Sequence, residues 1–224
     1  MKSFAVLAAL VTLTIAVPTN LAARDWEDDW KDHKRDGNKW GDDKGQETCP
    51  AIAQIAPTGQ LPPNTLSPTF LLPISQNHPD KAYPAGQKGI VTPYDKCTLT
   101  RFDIPAWAKN KTCSLSLFLG GCSEEIQEQG PGNISFQGNL GIRFPVPGQT
   151  TWNNQPPLAP PFADAPIIKV GNAYRLGGGP CDYKEGQAFA TVGGSICSND
   201  TTLSFTQSDG GHGKCPVGFH IIIS

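Results

Sequence analysis

The stretch that most constrains this chain is Lys111-Thr112-Cys113-Ser114-Leu115-Ser116-Leu117-Phe118-Leu119. Cys113, Leu115, Leu117 and Leu119 fall at every second position, with Thr112, Ser114 and Ser116 between them. A period of two gives an extended segment one apolar and one hydroxylated face, the pattern of a half-buried strand. Phe118 is the single misfit and reads as one exposed aromatic, which a surface tolerates. The element is a strand with a cysteine on its inward face.

Shorter runs of the same kind recur at 68–74, 89–92, 97–104, 166–170, 173–176, 188–192, 202–207 and 219–223. The even positions from Ile134 to Val146 give two more strands, or one long strand bent at Gly138. Turn residues separate these runs: Gly 24 and Pro 21 make up a fifth of the chain, and there is a single Met. Isolated glycines and prolines at this density disrupt helices, so no amphipathic helix is available to cover a sheet. Two sheets must then pack face to face, or one must close on itself. The expectation is an all-β chain with a single jelly-roll-like β-sandwich of about ten strands over residues 67–224; a barrel is the alternative. The stretch 122–132 reads as a polar loop.

Residues 1–23 read as a secretory signal peptide. Lys2 provides the positive start, residues 4–17 the apolar core, and Ala16, Ala22 and Ala23 the small residues for cleavage. An apolar run that ends at Pro18 is too short to span a bilayer. The mature chain is therefore expected to be secreted, extracellular or in a cell wall, and without a membrane segment. Residues 24–66 are a disordered acidic segment followed by a Pro-rich linker. Residues 24–47 hold nine acids and six bases but almost no aliphatic side chains, too little apolar surface to offset the entropy of ordering. Lys34-Arg35 is a dibasic pair at which a processing protease would release residues 24–35 as a propeptide; the alternative is a chance pair in a solvated tail.

The seven cysteines (49, 97, 113, 122, 181, 197 and 215) suit an oxidising compartment. No Cys-x-x-Cys pair occurs and the four histidines lack ligand spacing, so disulfides are expected rather than zinc. The candidates are Cys97, Cys113, Cys122, Cys181, Cys197 and Cys215, and the odd total leaves one thiol over. No metal or other cofactor is expected.

Phe102-Asp103-Ile104-Pro105 followed by Lys111-Thr112-Cys113-Ser114-Leu115, then Gly171-Asn172-Ala173-Tyr174, Gly179-Pro180-Cys181 and Cys215-Pro216-Val217-Gly218-Phe219, occur in this order. In these segments the chain resembles the But-two C-terminal-like domain of secreted ascomycete fungal proteins. The resemblance runs from about Pro68 to Ser224 and implies a β-rich, extracellular or wall-associated protein without implying an activity. Cys113, Cys181 and Cys215 match the family's cysteine positions. Cys97, Cys122 and Cys197 look like additions, and Leu119-Gly120-Gly121 departs from the family's aromatic-Pro strand ending. Cys181 and Cys215, each beside turn residues, are the strongest partner candidates for Cys113.

No catalytic residues emerge. Glu124, Glu125 and Glu128 crowd one loop and cannot face each other across a cleft as glycoside hydrolysis requires. Asp95 and Asp103 have no evident partner. There is no Gly-x-Ser-x-Gly elbow, and His220 reads as a residue on the outward face of the last strand. From Thr48 onward, eleven bases balance eleven acids, so nothing draws the domain to nucleic acid. Asn110, Asn133 and Asn199 open N-glycosylation sequons at expected turns, with Asn199 the best placed. Trp107 and Trp152 lie in expected loops and are candidates for stacking on sugars, the alternative being that both plug the core. The leading expectation is a non-catalytic, disulfide-stabilised, secreted fungal wall or extracellular protein with a cell-wall polysaccharide as its partner. The alternatives are a glycan-active hydrolase and a secreted effector that engages a host protein.

Overall fold

The structure, a computed structural model, describes residues 55, 60–120, 126–140, 142–181, 189–210 and 215–224. Its strands are β1 (Thr65–Leu66), β2 (Phe70–Ser75), β3 (Lys88–Val91), β4 (Lys96–Pro105), β5 (Thr112–Leu119), β6 (Ile126–Gln129), β7 (Ser135–Gly138), β8 (Asn172–Pro180), β9 (Phe189–Cys197), β10 (Thr202–Thr206) and β11 (Val217–Ile223). They form one four-stranded sheet in the order β1-β11-β5-β8, a second in the order β2-β4-β9-β7, and a three-stranded sheet β3-β10-β6. Every pairing is antiparallel. The all-β, sandwich-like class expected from the period-two runs is therefore the class observed. Among the described residues no helix is long and apolar enough to cross a membrane.

One core draws on all three sheets. Leu117, Leu119, Phe219 and Ile221 enter it from the first, Phe102, Ile104, Phe136 and Ile196 from the second, and Val91, Leu203 and Phe205 from the third. Phe219 sits at the meeting point, edge-on to Phe136 at 6.3 Å and to Phe205 at 5.8 Å between ring centroids. Gln207, just past β10, imitates a strand residue there: its amide donates to Phe219 O and its carbonyl accepts from Phe219 N–H, both at 2.8 Å. The buried amide is fully used, as a buried polar group must be. Its close approach leaves no room for a Cβ at Gly218, whose φ is 94°.

The stretch 111–119 is an inner strand of the first sheet, β5, paired with β11 on one side and β8 on the other. Its inward face follows the period of two, with Leu115 against the core and Leu117 and Leu119 within it. The outward face differs from expectation at Phe118, which is fully buried beneath Ile55, Leu61, Ala173, Cys215 and Ile222. Ile55 and Leu61, ahead of β1, supply part of this cover. The fold thus takes in Thr65 and Leu66, paired with Ile222 and Ile221 just ahead of residue 67.

Three other expectations change. In 134–146 only Ser135–Gly138 is a strand, and Leu140, Ile142 and Val146 are exposed. Pro145 and Pro147 lack the N–H groups a ladder needs. Residue 140 instead bonds to a neighbouring loop, with Leu140 N–H donating to Pro157 O. The run 166–170 makes only an isolated bridge, Asn133 to Ile167, although Ile168 is fully buried. Ile126–Gln129, read as loop, is an edge strand beside β10; with polar residues on its outer face, it carries too few apolar residues to signal itself.

Candidate functional site

Two disulfides each staple neighbouring strands of one sheet. Cys97 is the second residue of β4 and Cys197 the last of β9, with Cα atoms 4.5 Å apart, within the range a bridge requires. Cys113 in β5 is bonded to Cys181, one residue beyond β8, with Cα atoms 5.0 Å apart. Cys215 is also disulfide-bonded, and its partner lies outside the described residues. So do Cys49, Cys122, Glu124, Glu125, His212, Lys34, Arg35 and the segment read as a signal peptide.

The two tryptophans part company. Trp152 covers the outer face of the second sheet over Leu72, Ile74, Cys97 and Leu99, which is the core-plug reading. Trp107 is half-exposed in a single 3-10 turn, Ala106–Ala108, that follows β4. From Leu99 to Pro105 the strand advances about 20 Å at roughly 3.3 Å per residue, so the two cannot form one platform. Phe189 is an equally exposed aromatic at the same end of the sheet, the register partner of Pro105, two residues before Trp107. Sequence reasoning missed Phe189. Its signal was a lone aromatic among the small residues Ala188 and Ala190, on the parity opposite to the buried face.

The sequon asparagines Asn110, Asn133 and Asn199 are all exposed. Asn110 has a φ of 63° at the end of the turn that carries Trp107. Asn133 donates its amide to Asp200 at 2.6 Å, and Asn133, Asn199 and Asp200 line one shallow depression. Asp200 also accepts from the Thr201 hydroxyl at 2.7 Å.

The carboxylates considered at the sequence level hold the frame. Asp103 accepts from Arg101 at 3.1 Å, Thr69 at 3.1 Å and Thr191 at 2.8 Å, tying β4 to β9. Glu128 pairs with Lys169 at 2.8 Å. Asp95 accepts from the Ser75 hydroxyl. Among the described residues no three His, Cys, Asp or Glu side chains converge as metal ligands would. His220 points to the outer side of its sheet as expected but is sealed from solvent, edge-on to Phe118 at 5.4 Å and with Nε2 3.3 Å from Asp209 Oδ1.

Three carboxyls are held below their ordinary range: Asp95 chiefly by the Ser75 hydroxyl, Asp200 chiefly by that of Thr201, and Asp209 chiefly by its hydrogen bond to His220. A carboxyl more acidic in the folded than in the unfolded chain stabilises the fold above its unfolded pKa and loses that contribution as pH falls through the folded one. Stability is therefore expected to be flat from neutral pH to about 5 and to decline below about pH 4. Thermal melts in a pH series check this, and Asp95→Asn with Asp200→Asn should flatten the acid limb.

Between the two four-stranded sheets lies a cavity of about 240 Å³. Its walls are apolar, including Phe102, Phe136, Val192, Phe219 and the Cys113–Cys181 bridge, with Phe162 at the rim. Gly193 and Gly194 in its wall are required by close backbone approach: a Cβ at either would come within 2.6 Å of Thr100 O or 2.5 Å of Gln137 O.

A sequence profile for the ubiquitin 3 binding protein But2 C-terminal domain matches residues 66–210, well over half of the 224 residues. The match runs from the end of β1 past β10 and leaves β11 outside it. No curated relative matches the chain. This match across most of the sandwich makes the chain a member of the But2 C-terminal domain family.

Proposed function

We propose that the protein is a secreted, disulfide-stabilised fungal wall or extracellular protein that binds polysaccharide without transforming it. The observation that carries the reading is the exposed aromatic pair at one end of the second sheet, Trp107 on its turn and Phe189 beside Pro105. Aromatic faces held on a rigid turn suit stacking against sugar rings, and a half-exposed Trp is poorly used as core. The disulfides Cys97–Cys197 and Cys113–Cys181 support an oxidising compartment, in keeping with a signal over residues 1–23. The exposed sequon asparagines support glycosylation, and Asn110 would set a glycan beside the aromatic pair. The ubiquitin-related binding in the family's description is said of the protein that gives the family its name.

A hydrolase is disfavoured because Asp95, Asp103 and Glu128 are each engaged in holding strands. The test is sedimentation with insoluble glucan, chitin and cellulose. The native protein should be retained on at least one polymer, and Trp107→Ala with Phe189→Ala should abolish retention while Trp152→Ala leaves it intact. No retention on any polymer, or release of soluble sugar during incubation, would remove the reading.

A further inference from the structure

The cavity between the sheets is a second site of different chemistry. Both edge strands facing it carry an inward glycine where a sandwich core ordinarily places a side chain. Gly138 follows the buried Phe136 by two residues in β7 and so shares its face. A Cβ there would meet nothing within 4 Å. Gly177 in β8 lies opposite Leu115, which packs on the core, and a Cβ there would meet only the Phe162 ring, at 3.9 Å. Neither glycine has a positive φ, so backbone conformation does not require them. What they leave is space.

The opening lies along β8, where Gly177, Gly178 and Pro180 are exposed. Phe162 stands at this rim, its N–H donating to Phe136 O at 3.0 Å and its ring 39% exposed. Among the described residues the lining includes no charged side chain and no histidine. Of its polar side chains, the Gln137 amide donates to Ala159 O at 2.8 Å, the Thr100 hydroxyl lies 3.5 Å from Gly194 O, and Ser195 Oγ lies 3.4 Å from Cys197 Sγ. Such a mostly apolar lining disfavours a charged ligand and offers a sugar few hydrogen-bond partners.

We propose that this cavity binds a slender, uncharged, apolar small molecule that enters past Phe162. An apolar cavity of about 150 Å³ takes benzene, so about 240 Å³ fits roughly ten heavy atoms on the same scale. The site goes beyond the polysaccharide reading and does not depend on Trp107 or Phe189.

The test is calorimetric titration of the oxidised full chain with 1-octanol and with naphthalene, sodium octanoate being the charged control. Saturable binding of at least one neutral probe is expected, with octanoate at least tenfold weaker. Gly177→Leu, which fills the cavity, should weaken the neutral probe at least tenfold while the near-ultraviolet circular dichroism stays native; Gly138→Leu is the second filling variant should the first not fold. The polysaccharide sedimentation of Gly177→Leu should be unchanged, which separates the two sites. Absence of saturable binding by either neutral probe would overturn the proposal, as would a folded filling variant that binds like the native chain.

Discussion

Replacing Cys97 and Cys197 together by alanine is expected to lower the unfolding free energy by about 3–4 kcal/mol. The two bridges are nested: Cys113–Cys181 spans 68 residues and lies wholly inside the 100-residue separation of Cys97 and Cys197. Alone, the outer bridge would close a long loop and contribute about 4.7 kcal/mol. With the inner bridge in place the unfolded loop is only about 30 residues, and the logarithmic dependence on length reduces the contribution to roughly 3.7 kcal/mol. The same reasoning gives the inner pair about 3.4 kcal/mol, so removing either should cost about the same despite their different spans. Alanine is the right replacement because Cys97 is buried, and a serine hydroxyl there would add its own desolvation cost. Guanidinium unfolding without reductant measures the change. A loss under about 1 kcal/mol would mean that the unfolded chain is already constrained by residual structure.

Phe219→Ala is expected to cost about 3–5 kcal/mol, the usual range for deleting a buried phenyl ring. Phe219 is 1% exposed and belongs to β11 in the first sheet, while its edge-on partners Phe136 and Phe205 come from the second and third. Few atoms are free to move in and refill the space, since the main chain at 219 is pinned by both hydrogen bonds from Gln207. The ring also borders the 240 Å³ cavity, so truncation enlarges an existing void instead of creating a small one that neighbours could close. The value should therefore fall toward the upper end. Phe189→Ala, at an exposed position, should change stability by no more than about 0.5 kcal/mol. If the two substitutions proved equal in cost, the three sheets would not share one core at Phe219.

Much of the frame was legible in the residues because period-two burial is a local property of an extended chain. Cys113, Leu115, Leu117 and Leu119 announced an inward face, and the proline and glycine content excluded helices as cover. The failures have separate causes. Phe118 reads as exposed because it stands on the polar side of its strand, yet residues remote in sequence, Ile55, Leu61 and Cys215 among them, cover that side, and His220, edge-on to Phe118, is buried with it. Leu140, Ile142 and Val146 kept the strand parity and are exposed, since prolines at 145 and 147 cannot donate to a ladder. Trp107 and Trp152 looked alike in sequence. Only their positions toward opposite ends of β4 separate an exposed aromatic from a cover over Leu72 and Leu99.

By itself, the sequence determined an all-β, disulfide-bearing chain, because alternation, turn residues and cysteine usage act over a few residues at a time. The tertiary structure alone decided which cysteines meet, that Phe189 lies opposite Pro105, and that Gly138 and Gly177 face one shared space. Each of those facts depends on strand order and register, which bring together residues tens of positions apart; no local pattern encodes them.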